Sequence, residues 1–132
     1  MVDASIVSAW ALVDEQRPAT DELLRRAALD GIAAPILLWF EIRNVLVIQG
    51  RRGRIHPAER DEFLDALEAL PLRLDRAADS QEIIDLALQH RLTVYDAAYL
   101  ELSRRLRLPL ATLDRQLARA AEAERVDVLP LR

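Results

Sequence analysis

The chain has 132 residues, 52% hydrophobic and 30% charged, with a net charge of -4. That length suits one domain able to bury roughly two-thirds of its extended-chain surface without staples. The absence of Cys excludes disulfides, thiolate metal sites and thiol nucleophiles, and fits a reducing compartment. All 18 basic residues are Arg, which removes Schiff-base and P-loop lysine chemistry. An acidic total argues against a protein that coats duplexes, but not against a nuclease, whose site is acidic and whose basic groups are local.

Met1-Val2-Asp3 reads as the end of a strand, with Ser5 capping a helix from Ile6 to about Glu15. The apolar run Ala4 to Val13 lacks a basic flank, carries bulky Trp10 and follows Asp3, so a buried helix is expected rather than a signal segment. No apolar run is long enough to span a bilayer, and a soluble, cytoplasmic protein is expected. Pro18 opens the next helix, with Leu23, Leu24, Ala27 and Ala28 at helical spacing, and Gly31 stops it. Ile32-Ala33-Ala34 is a short strand. From Pro35 to about Gln49 a helix apolar nearly all round is expected to be deeply buried.

Gly50-Arg51-Arg52-Gly53-Arg54 then forms a basic, flexible exit, and Pro57 starts a helix with Phe63, Leu64, Leu67 and Leu70 inward. Leu72-Arg73-Leu74 is a brief strand, and Ser80 caps a helix to about His90. A helix from Thr93 to Leu106, a strand at 108–112, a helix capped by Asp114 and a last strand at 126–128 complete the chain. Short apolar strands alternating with helices imply an α/β fold, a parallel sheet of four or five strands covered on both faces. Ligands of such sheets sit beyond the carboxyl ends of the strands, where Asp3 and Asp114 fall.

Four acids stand in apolar settings: Asp3, Glu41, Asp96 and Asp114. Glu41 lies within Ile36-Leu37-Leu38-Trp39-Phe40-Glu41-Ile42, with Asn44 one turn on. A carboxylate there must be paired, metal-bound or protonated, and Arg43 is the obvious structural partner. Thr93-x-x-Asp96 equally reads as a capping box, and Asp3 and Asp114 equally as caps. Clustered carboxylates without a counter-charge repel unless a cation intervenes. Oxygen ligands alone favour a hard ion, Mg2+ or Mn2+, and phosphodiester hydrolysis is the chemistry that uses such a site.

Val2-Asp3-Ala4-Ser5, Pro35-x5-Glu41-x2-Asn44-x-Leu46, Val94-Tyr95-Asp96-Ala97-Ala98-Tyr99 and Pro109-Leu110-Ala111-Thr112-Leu113-Asp114 occur in that order. The ordered set resembles the motifs of PIN-domain ribonucleases, most nearly the VapC toxins of type II toxin–antitoxin modules, across essentially the whole chain. The resemblance implies a PIN-like three-layer fold and a Mg2+-dependent endoribonuclease cutting structured RNA such as tRNA or rRNA. It also implies a homodimer inhibited by a VapB-type antitoxin. On its motifs Asp3, Glu41, Asp96 and Asp114 are the metal-coordinating acids, and Ser5, Asn44 and Thr112 supporting polar residues. Two departures are that only Met1 and Val2 precede Asp3, where the family's first strand is usually longer, and that Gln116 stands where some relatives carry an acid.

A phosphoacceptor receiver domain would need a Lys, and a haloacid-dehalogenase-type phosphatase an Asp-x-Asp in place of Asp3-Ala4-Ser5. A housekeeping RNA-processing nuclease and a catalytically silent PIN-like interaction module are the remaining alternatives. Trp10, Trp39 and Phe40 are candidates for a dimer surface or for the core. Arg51, Arg52 and Arg54, near His56, are the candidate RNA-phosphate contacts or simply a solvated loop, with Arg104, Arg105 and Arg115 next in line.

Overall fold

The computed structural model describes residues 1–130. In chain order the elements are α1 (Ala4–Ala11), a 3-10 turn (Val13–Glu15), α2 (Pro18–Asp30), β1 (Ile32–Pro35), α3 (Leu37–Arg51) and α4 (Pro57–Ala69). They continue with β2 (Leu72–Asp75), α5 (Ser80–His90), α6 (Val94–Leu106), β3 (Leu110–Ala111), α7 (Arg115–Ala123) and β4 (Val128–Leu129).

The strands form two parallel pairs, β1 with β2 and β3 with β4. Met1–Asp3 runs between them. The Val2 amide donates to the Ala33 carbonyl at 3.2 Å, the Asp3 amide to Ala111 at 3.1 Å, and the Ala111 amide to Met1 at 2.9 Å. With the parallel bridge Val2–Ala111, the spatial order becomes β2-β1-(Met1–Asp3)-β3-β4. The expected parallel sheet is therefore present but small. Its central member is a single bridge, Val2–Ala111, carried by the Met1–Asp3 backbone bonds. Strand order reverses beside this segment, where a doubly wound sheet opens its crevice.

One hydrophobic cluster joins α1, α3, α6 and α7 to both sheet pieces, with Ile6, Ile42, Leu100, Leu110 and Leu117 fully enclosed. Trp10 belongs to this core, and its indole N–H donates to the Thr20 carbonyl at 2.8 Å, locking α1 to α2. Gly31 ends α2 at φ 80°, and a Cβ there would come 3.0 Å from the Pro71 carbonyl oxygen. That carbonyl accepts from the Ile32 amide at the start of β1, so glycine is needed for both the turn and the strand entry.

Several local expectations are corrected. Asp3, not Ser5, caps the first helix, which stops at Ala11 and is followed by the 3-10 turn. Asp79 rather than Ser80 caps α5. The helix after β1 is not deeply buried: Leu38, Ile42 and Leu46 face the core, while Trp39, Phe40 and Val47 are exposed. The basic segment also begins inside the helix rather than after it. Arg51 closes the last turn of α3, Arg52 caps it, and Gly53 at φ 72° turns the chain.

Candidate active site

Asp3 follows the central segment and is only 5% exposed. Its Oδ1 accepts from the Ser5 amide at 3.0 Å, the Ser5 hydroxyl at 2.6 Å and the Ile6 amide at 3.2 Å, while Oδ2 accepts from the Thr112 hydroxyl. The two hydroxyls in turn hold the loop after β3. Ser5 Oγ accepts from the Leu113 amide at 2.8 Å, and Thr112 Oγ1 from the Asp114 amide at 3.0 Å. Ser5 and Thr112 thus stitch the two strand ends together around one carboxylate. Asp114 lies just beyond, its Oδ1 capping α7 through the Leu117 amide at 2.8 Å. The cap role of Asp114 is real, and it engages only one of the two oxygens.

Glu41 rises from α3 as a half-buried side chain, and its Oε1 accepts from the Tyr99 hydroxyl at 2.7 Å. It is not the partner of Arg43, whose guanidinium reaches Glu68 and the Trp39 carbonyl, each at 3.1 Å, and lies over the Trp39 ring. Asp96 sits in the first turn of α6, where its amide donates to Thr93 Oγ1 at 3.1 Å. The Thr93 half of the expected capping box therefore forms. The returning bond from the Thr93 amide to the Asp96 carboxyl is absent among the described residues, so capping does not consume that carboxyl.

Electrostatics joins the four acids. Burial holds the Asp3 carboxyl above its ordinary range despite its four donors. Burial also raises Glu41, with the charges of Asp96 and Asp3 adding to it and the Tyr99 hydroxyl opposing. Asp96 is raised by burial and by Asp114, against the Thr93 hydroxyl. Tyr99 itself is driven far upward by burial and by the Glu41 carboxylate, so it acts as a fixed donor. Among the described residues none of the four acids is in an ion pair. No three acidic or histidine side chains among them are gathered closely enough to enclose an ion. The carboxylates are thus mutually repelling neighbours of the right donor chemistry for a hard cation, standing short of a closed ligand shell.

Of the supporting residues, Ser5 and Thr112 are integral to the cluster. Asn44 is exposed one helical turn beyond Glu41 and makes no side-chain hydrogen bond among the described residues. Gln116 donates to the Arg91 carbonyl at 2.7 Å. Arg54 is committed elsewhere, bound to both Asp14 oxygens at 2.9 and 2.8 Å, to Glu15 at 3.0 Å and to Gln49 at 2.8 Å. Arg51 and Arg52 are exposed without ion pairs among the described residues. Sequence reading missed Tyr99. Its position three residues after Asp96, on the same helical face, is the signal that pointed to it.

The raised carboxyls give a pH test of the cation-free protein. A carboxyl whose pKa rises on folding binds more protons in the native state. Its stabilising effect is therefore present at acid pH and lost as pH climbs from the ordinary carboxylate range through the raised value. Glu41→Gln removes one such group while leaving an oxygen for Tyr99. In chelator, urea denaturation should show the variant gaining stability on wild type as pH rises from the ordinary carboxylate range toward neutrality. A difference that is constant or reversed over that interval would contradict the electrostatic assignment.

Comparison with known proteins agrees with this geometry. Residues 1–123 match the PIN domain family. Ribonuclease VapC3 of Pyrobaculum aerophilum is 33% identical over 122 residues, covering 89% of this chain and 91% of its own. Ribonuclease VapC1 of Mycobacterium tuberculosis is 34% identical over 126 residues, covering 90% and 92%. The crystal structure of PAE2754 from Pyrobaculum aerophilum superposes with a TM-score of 0.71 at 26% identity, over 90% of this chain and 83% of that one. The chain belongs to the PIN-domain family and, within it, to the VapC ribonucleases.

Proposed function

We propose that this ribonuclease is a divalent-cation-dependent endonuclease, the toxin of a VapBC-type module, that cuts structured RNA such as tRNA or rRNA. The observation that supports it most is the group of four carboxylates without a counter-charge at the point where strand order reverses. Asp3, Glu41, Asp96 and Asp114 would hold Mg2+ or Mn2+. Such an ion supplies an activated water and neutralises charge that builds on the phosphate.

The chain's own residues divide the remaining work. Ser5 and Thr112 fix the Asp3 carboxylate and leave open only part of Oδ2. Tyr99 occupies Glu41 Oε1 and leaves Oε2 as the free oxygen. The second oxygen of Asp114 is spared by its cap, and the half-buried Asp96 carboxyl is spared by the missing return bond. A catalytically silent module would have no use for neighbouring carboxyls kept free of counter-charge at an energetic cost. Whether the enzyme is a toxin or a housekeeping nuclease is separated by the neighbouring gene, a small upstream frame with a DNA-binding N-terminus marking the toxin. Mapping RNA 5′ ends after pulsed expression identifies the RNA.

Asp96→Asn should keep the fold and lower cleavage by on the order of a hundredfold or more. Unchanged cleavage would return Asp96 to its capping role. A homodimer inhibited by a VapB-type antitoxin belongs to the same reading. Trp39, Phe40 and Val47, exposed along α3, supply apolar surface that a core role does not explain. Light scattering at micromolar concentration should give twice the chain mass, and a monomer mass would defeat the dimer. No helix among the described residues is long and apolar enough to cross a membrane.

A further inference from the structure

An acidic site in a chain of net charge -4 repels the polyanion it is to cut, so local cations must hold the RNA. Ion pairing removes several arginines from consideration. Arg54 is bound by Asp14 and Glu15, Arg104 by Glu82 and Glu124, and Arg105 by Asp75 and Glu101. A cavity of about 340 Å³ opens instead beside the loop after β3, with Arg17, Arg115 and Arg119 on its wall. Among the described residues none of these three is in an ion pair. Thr112, which donates to Asp3 and accepts from the Asp114 amide, lines the same cavity.

The geometry points to a phosphate-binding subsite formed by Arg17, Arg115 and Arg119, which seats the backbone of the RNA next to the carboxylate cluster. The subsite rests on the nuclease reading above and names how that site holds its substrate. The three side chains come from two separate places in the chain. Arg17 precedes α2, while Arg115 and Arg119 stand one turn apart on α7. Their convergence on one cavity is therefore a property of the fold, not of a charge run. Guanidinium forks suit phosphate oxygens, and three of them on one wall match successive phosphates or one phosphate gripped from several sides. The cavity shares Thr112 with the hydrogen-bonded seam that holds Asp3 and the Asp114 amide, and Arg115 follows Asp114 in the chain. Arg51 and Arg52, by contrast, sit at the far end of α3, at its last turn and C-cap. RNA is favoured over an acidic protein segment because the cavity shares Thr112 with the carboxylate seam and includes none of the exposed apolar residues of α3.

The test is RNA binding by Asp96→Asn protein in chelator, where cleavage of the probe is slowed, with and without Arg17→Gln, Arg115→Gln and Arg119→Gln together. The probe is a fluorescent single-stranded oligonucleotide followed by anisotropy across a salt series. The triple variant should bind at least about tenfold more weakly at low salt, and the log–log salt slope should fall by about 0.7 for each phosphate no longer neutralised, or about 2 for three. Replacing the three by Lys should restore the slope while leaving affinity short of wild type, because charge returns without the fork. Circular dichroism checks folding, and the single Gln variants serve in its place if the triple variant does not fold. Equal affinity and slope with and without the arginines would overturn the subsite. So would loss of binding to a polyglutamate probe alone, which would assign the cavity to an acidic protein partner. Failure of wild-type protein to cleave any RNA would instead strike the nuclease reading, which keeps the two outcomes distinct.

Discussion

Asp3 carries four hydrogen bonds on one carboxylate in a setting almost closed to water. Those bonds perform two structural tasks at once. They cap α1, an interaction typically worth about 1 kcal/mol, and through Thr112 and Ser5 they tie the first segment to the loop after β3. The central member of the sheet contributes only a bridge, so this side-chain seam replaces ladder bonds that a longer strand would provide. The proposed cation-binding role of Asp3 and its folding role would thus fall on the same carboxylate. Asp3 cannot be moved without loosening the sheet, and the sheet cannot close without bringing Asp3 beside Asp114.

The rest of the cluster shows the opposite balance. Glu41 and Asp96 are half-buried, raised by desolvation and by neighbouring carboxylate charge, and carry few hydrogen bonds. A fold selected for stability alone would pair them with some of its 18 arginines. Instead Arg43 turns to Glu68, and Arg105 to Asp75 and Glu101. The acids are kept free of counter-charge while the basic side chains are consumed elsewhere or lie along an adjacent cavity. That separation is what the proposed cation site and the proposed phosphate subsite both require.

Much of this was legible in the sequence because it depends on local chemistry. Pro18, Pro57 and Thr93 start helices, Gly31 ends one, and Asp3 and Asp114 follow apolar strand residues. The order of the motifs placed the four acids at one sheet edge, where three of the pairwise charge couplings now link them. What stayed hidden depends on partners distant in the chain. Nothing local says that Tyr99 reaches Glu41, 58 positions away, or that Arg54 is consumed by Asp14, 40 positions away. The exposure of Trp39 and Phe40 was hidden for a related reason. A stripe of apolar residues records that a helix can be buried, whereas which sides meet neighbours is decided by the packing of α1 and β1 against it. Cap identities failed by one or two residues, since Asp and Ser compete for the same position and only backbone conformation decides between them.

The central claim is that repelling carboxylates at the sheet's switch point constitute a cation site. Mn2+ binding to the isolated protein, followed by the electron paramagnetic resonance signal of the free ion, tests it most directly. Wild-type protein should take up Mn2+ at micromolar to millimolar concentration and release it to Mg2+. Asp3→Asn, Glu41→Gln, Asp96→Asn and Asp114→Asn should each weaken uptake, in proportion to the charge removed from one shared site. Uptake that is absent in wild type, or unaffected by all four substitutions, would contradict the account.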